Sequence, residues 1–208
     1  MRYKFISYFF TGLLFFVSIR LCALELIVND ASGKAVVNAV VYSTNDLPVN
    51  SYTPRTMVMD QQQKQFVPHV LTVPKGTLVD FPNTDSVNHY VYSFSDPKTF
   101  QFKLFKGDLA AHQMVFDKVG LVTLGCNIHD FMLGYILVTP NQFAGVTDAQ
   151  GRVNLSVPSG ELHHLSVWHE RSAETLKVDV TASNQPVVIQ FKKPFKTERK
   201  MHETEGDY

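Results

Sequence analysis

One short stretch concentrates the chemistry. In Gly125-Cys126-Asn127-Ile128-His129-Asp130-Phe131-Met132-Leu133-Gly134-Tyr135, a thiol, an imidazole and a thioether stand at positions i, i+3 and i+6. A loop leaving one strand and entering the next turns three such side chains toward one point. A second imidazole must come from elsewhere in the fold. His89 is the candidate, because it heads a strand-like run just after the turn Phe81-Pro82-Asn83-Thr84-Asp85. Two His and one Cys in a trigonal arrangement, with a weak axial Met, form the donor set of a blue-copper electron-transfer site. The expected ligands are therefore His89, Cys126, His129 and Met132, around one copper ion that cycles between Cu(I) and Cu(II). Thiolate and thioether sulfur favour Cu(I), imidazole suits both states, and hydrogen bonds to the sulfur tune the potential. Backbone N–H groups of the ligand loop and the side chains of Asn88 and Asn127 are expected to reach the thiolate or to tie the two ligand segments together.

Other readings of the same residues stay open. A lone cysteine is often a small buried hydrophobe. Zinc accepts the same nitrogen and sulfur donors, although a thioether is a poor zinc ligand. Cys–His nucleophilic catalysis fits the Cys-x-x-His-x-x-Met spacing less well than a metal loop. His69 is the next imidazole in line if His89 does not serve. His163, His164 and His169 cluster in sequence beside Trp168; a second metal site there competes with three structural or solvated histidines.

The elements that must position these donors read as strands. Runs rich in Val, Ile, Thr, Phe and Tyr cover 24–28, 36–43, 65–73, 77–81, 89–95, 100–105, 113–117, 121–125 and 135–139, then 153–157, 164–169, 175–180 and 187–191. Gly, Pro, Asn and Asp separate them, as in Asp30-Ala31-Ser32-Gly33, Pro74-Lys75-Gly76 and Asp148-Ala149-Gln150-Gly151. No helical period is evident, and many short strands at this spacing indicate sandwiches or barrels. The chain has 208 residues, of which 45% are apolar, enough for one large or two small cores. A formal net charge of zero argues against a nucleic-acid partner, which needs a basic face.

The first 23 residues read as a secretory signal: Arg2 and Lys4, an apolar run from residue 9 to residue 19, then Cys22-Ala23. An uncleaved anchor is the alternative, for which the run is short; Leu21 before Cys22 speaks against lipidation. Cleavage takes three of the 19 basic residues and none of the 19 acidic ones, leaving a formal charge of −3. It also removes Cys22, so the exported chain keeps Cys126 alone. A lone thiol in an oxidising compartment calls for an occupant such as a metal.

At these residues the sequence resembles the cupredoxins, the small blue-copper proteins. Cys126-x-x-His129-x-x-Met132 is similar to the short ligand loop of amicyanin, and the run 115–126 resembles the strand that delivers the cupredoxin Cys. The similarity covers about residues 62–140. It extends to a bacterial group of plastocyanin-like, methylamine-utilization proteins through Phe81-Pro82-Asn83-Thr84-Asp85 and Asn88-His89-Tyr90-Val91-Tyr92-Ser93-Phe94-Ser95. The resemblance implies an all-β Greek-key cupredoxin sandwich and a periplasmic electron carrier rather than an enzyme. It does not imply methylamine as a substrate. Two departures concern the partner more than the metal: Tyr90 follows His89 where Asn is common, and Asp130 places a negative charge after His129.

The flanks resemble a carboxypeptidase-regulatory-like sandwich of the immunoglobulin-like kind, in Leu26-Ile27-Val28-Asn29-Asp30, in Asp148-Ala149-Gln150-Gly151-Arg152-Val153 and in Leu165-Ser166-Val167-Trp168. The expected organisation is a signal at 1–23, the first part of this sandwich at 24–60, an inserted cupredoxin domain at 61–140, the second part at 141–192, and a disordered tail at 193–208. Two sequential domains are the alternative. The leading expectation is a one-electron carrier that meets a periplasmic redox donor and acceptor at the His129 edge, with no membrane contact after signal cleavage. A copper-delivery protein without an electron-transfer role is the alternative, although Met57, Met59 and Met114 are not clustered as such a protein wants.

Overall fold

The computed structural model describes residues 21–45, 55–109, 112–181 and 185–197. Among them every regular element is a strand. Strand β1 (Leu21–Asn29) shows why. Leu24, Leu26 and Val28 are buried while their neighbours are not, the period of two that a sheet facing a core on one side requires. Residues 1–20 of the expected signal lie outside the described residues, and Leu21, Cys22 and Ala23 pair with Pro158, Val157 and Ser156. The strand ends in the turn Asp30–Gly33, where the Asp30 carboxylate accepts the N–H groups of Ser32 and Lys34 and Gly33 takes a φ of 85°. Strand β2 (Val40–Ser43) is shorter than the expected 36–43, because Asn38 has left-handed backbone and Val36 bonds back to Val28.

The middle of the chain builds its own sandwich. Its strands are β3 (Met57–Val58), β4 (Asp60–Gln62), β5 (Gln65–Val67), β6 (Val70–Pro74), β7 (Thr77–Phe81), β8 (His89–Ser95), β9 (Lys98–Leu104), β10 (His112–Phe116), β11 (Gly120–Cys126) and β12 (Leu133–Thr139). They form a five-stranded sheet in the order β6-β12-β11-β8-β9, a three-stranded sheet β10-β7-β3 and the hairpin β4-β5. The expected single strand at 65–73 is broken at Pro68, which has no N–H for a ladder. This sandwich takes in Met57 onward, upstream of the expected boundary at 61. Its core holds Phe66, Phe81, Phe116, Val91, Leu124 and Ile136, and Cys126 and Met132 belong to the same cluster. Phe81 meets Phe102 edge-on at 5.4 Å, a favoured aromatic geometry.

The last strands are β13 (Ala144–Val146), β14 (Arg152–Pro158), β15 (Leu162–Trp168), β16 (Leu176–Thr181) and β17 (Val187–Gln190). They pair with the first two: β14 and β17 flank β1, while β13 and β15 flank β2, with β16 outside β15. One aliphatic core closes between these sheets, drawing Leu24, Leu26 and Val41 from the start of the chain and Leu155, Leu165 and Val167 from its end. Phe195, within the stretch expected to be a disordered tail, packs on this core and stacks on His169 at 4.6 Å. The molecule is therefore all-β: one sandwich built by the middle of the chain and a smaller one built by its two ends. Val40, Val70 and Leu137 are buried where the two meet, with Tyr135 and Trp168 packed edge-on beside them at 5.2 Å.

Candidate metal centre

Strand pairing sets the site. β8 and β11 run antiparallel with Cys126 opposite Val91. His89 lies two residues from Val91, so period two puts its side chain on the same inner face as Cys126. Beyond Cys126, Asn127 extends the ladder by one bond, its N–H donating to Tyr90 O at 2.9 Å. The chain then turns, closed by Met132 N–H to His129 O at 2.9 Å, and enters β12. That turn swings His129 back over the sulfur.

The outcome is one compact donor cluster. His89, Cys126 and His129 place their ligand atoms within 4.8 Å of one another. His89 Nδ1 lies 3.8 Å and His129 Nδ1 3.6 Å from Cys126 Sγ. His89 and Cys126 are buried and His129 is half-buried. Met132 is buried in the same core cluster as Cys126. The Phe131 ring lies 6.1 Å from the His129 ring, and Ile128, Phe131 and Leu133, close to His129 in sequence, are 55%, 41% and 42% exposed.

The electrostatics suit a thiolate. Burial works to raise the Cys126 thiol, but His89 and the N–H groups of Tyr90 and Ile128 outweigh it and bring the group below its usual value. The Tyr90 N–H reaches the sulfur at 3.4 Å. Burial works to lower His89, yet Cys126 and Asp85 together raise it. His129 is lowered, first by burial and then by the charge of His89 and Lys64. In the metal-free chain the sulfur and the His89 ring thus stabilise each other's charged forms.

Other histidines are engaged elsewhere. His69 bonds Glu170 at 2.9 Å and meets Tyr135 edge-on at the junction between the sandwiches. His163 Nε2 contacts Pro158 O at 2.9 Å, His164 bonds Asp179 at 2.7 Å, and His112 stacks on Phe102. His202 lies outside the described residues. Asn88 does not act on the thiolate: its side chain accepts the Lys106 N–H at 2.9 Å.

Sequence reasoning missed Asp85. Its Oδ2 lies 3.1 Å from His89 Nε2, and both side chains are nearly or wholly buried, at 9% and 0% exposure. The only signal available was a carboxylate four residues before a candidate ligand.

No family model and no curated protein matches the chain. Solved structures do. A purple cupredoxin from Nitrosopumilus maritimus is 26% identical over 40% of this chain and 97% of its own, with a TM-score of 0.34. A Cu-containing nitrite reductase from Thermus scotoductus is 26% identical over 45% of this chain, which spans 24% of that protein, with a TM-score of 0.38. Amicyanin from Paracoccus versutus is 20% identical over 47% of this chain and 96% of its own, with a TM-score of 0.36. The donor chemistry itself speaks for the metal. Two imidazole nitrogens converging on one buried sulfur, with a thioether in the same core, fit one copper ion at a blue-copper site.

Proposed function

We propose that this chain is an exported one-electron carrier whose copper ion is held by His89, Cys126 and His129, with Met132 as the weak fourth donor. The observation that carries this reading is the convergence of both Nδ1 atoms on the Cys126 sulfur, at 3.8 and 3.6 Å. When bound, the copper supplies a centre that takes up and gives back one electron.

The protein's own residues do the rest. The β8–β11 ladder fixes His89 against Cys126 from two strands of one sheet. Such a frame resists rearrangement as the charge at the site changes. The N–H groups of Tyr90 and Ile128 stabilise the sulfur's negative charge and so tune how strongly it donates. Burial excludes water from His89 and Cys126. His129, half-buried beside Phe131 and near the exposed Ile128 and Leu133 in sequence, is the edge where a donor or acceptor docks. Exposed Asp130 biases that edge toward partners carrying positive charge nearby. The partners are periplasmic redox proteins, reached after cleavage of the leader within residues 1–23. The chain turns over no substrate of its own.

Voltammetry of the copper-loaded, full-length protein tests this. A reversible one-electron wave, with copper retained against a weak chelator, is the expected result. Ready loss of copper to that chelator, with no reversible wave, overturns the carrier reading in favour of delivery.

A further inference from the structure

The turn between β7 and β8 holds a carboxylate that the donor set does not use. Asp85 Oδ2 lies 3.1 Å from His89 Nε2, the nitrogen that faces away from Cys126. The same oxygen accepts the Lys64 N–H at 2.7 Å, and Oδ1 accepts the Ser86 N–H at 2.7 Å. Asp85's own N–H donates to Asn83 Oδ1 at 3.0 Å, and its carbonyl oxygen accepts the Gly107 N–H at 3.2 Å. Asn83 is fully buried and donates in turn to the carbonyls of Val87 and Phe105. The carboxylate is therefore held by Lys64, Ser86 and His89 and has little freedom to turn away.

This placement has a chemical consequence. A neutral imidazole carries one proton, and only the nitrogen without it can bind a metal. An ionised carboxylate accepts and cannot donate, so a carboxylate at Nε2 holds the proton there and leaves the Nδ1 lone pair toward Cys126. Its negative charge also makes the ring more electron-rich and favours the more highly charged metal ion. His129 lies at the surface side of the cluster, half-buried beside Phe131. The two imidazoles thus have unlike surroundings.

We propose that Asp85 is a positioning residue for His89, fixing its Nε2–H tautomer and lowering the reduction potential of the bound metal. This rests on the copper reading above, and the test separates the two. In the full chain, Asp85→Asn keeps an acceptor oxygen but removes the charge, and Asp85→Ala removes both. D85N is expected to keep the visible Cu(II)–thiolate band while its Cu(II) affinity falls about tenfold relative to Cu(I). That reads as a potential higher by about 59 mV. D85A is expected to bind Zn(II), a redox-silent probe, about 10- to 100-fold more weakly, with nitrogen NMR showing a mixed His89 tautomer. A parent that turns blue, with an unshifted D85N potential and unchanged D85A zinc affinity, overturns the role of Asp85 alone. A parent that never turns blue, but whose zinc affinity still falls in D85A, overturns the copper reading and leaves the positioning role standing.

Discussion

In the terminal sandwich, His163, His164 and His169 lie close together in sequence, yet each is engaged singly. One contacts a carbonyl, one an exposed aspartate, one a phenylalanine ring. In the middle sandwich, His89 and His129 are far apart in sequence and share one buried sulfur. Crowding of donors in sequence therefore predicts a metal centre less well than the register that turns donors onto one inner face. The cores differ in the same sense. The terminal core is mostly aliphatic, whereas the middle one gathers Phe66, Phe81 and Phe116 in the same cluster as Cys126 and Met132.

The sharpest way to break the comparison is through those cores. Phe81→Ala should cost about 3–5 kcal/mol, unfolding the middle sandwich in less urea. Leu155→Ala, in the terminal core, should cost about 2–5 kcal/mol. Trp168 is the chain's single tryptophan; it lies in β15 and packs on Tyr135, so its fluorescence follows the terminal side and its junction with the middle sandwich. Separate shifts of the Trp168 signal and of the visible copper band would mark two cores; identical shifts for both variants would mark one cooperative unit.

A smaller effect comes from Gly134. A Cβ there would sit 2.7–2.9 Å from the Phe66 side chain. Gly134→Ala should cost about 1–3 kcal/mol by overpacking, measured by urea melting of the copper-loaded protein. No change in midpoint would show that Phe66 moves freely.

The junction between the sandwiches should respond to pH. The hydrogen bond to Glu170 raises His69 above its ordinary value of 6.5, and the bond from His69 holds Glu170 below its ordinary 4.5. Stability from a raised His is complete below pH 6.5 and is lost as pH rises through the folded value. Stability from a lowered Glu is complete above pH 4.5 and is lost as pH falls through the folded value. Glu170→Gln should therefore cost most between pH 4.5 and 6.5 and progressively less on either side, read from Trp168 melting curves. A difference that stays flat across pH would remove this pair from the junction. The smallest effect belongs to His164→Asn, which should leave the copper spectrum unchanged and shift stability by no more than about 0.5 kcal/mol.

Much of this was legible in the sequence, and the gaps have physical causes. The strands Thr77–Phe81 and His89–Ser95 stand where alternation and turn residues place them. Met57–Val58 and Ala144–Val146 were not legible, because such short strands exist only through partners distant in sequence, Val79 and Tyr42 among them. The run of donors at Cys126, His129 and Met132 is visible in one loop, but the pairing of Cys126 with Val91 that recruits His89 is a matter of register. Asp85 escaped notice because its contact depends on the shape of a turn rather than on any periodic pattern.

The most direct measurement is an optical titration of the metal-free full chain with Cu(II), run beside Cys126→Ser. The expected result is an intense visible thiolate band in the parent that saturates at one copper per chain and is absent from the serine variant. A parent that stays colourless, or a serine variant that still turns blue, would contradict it.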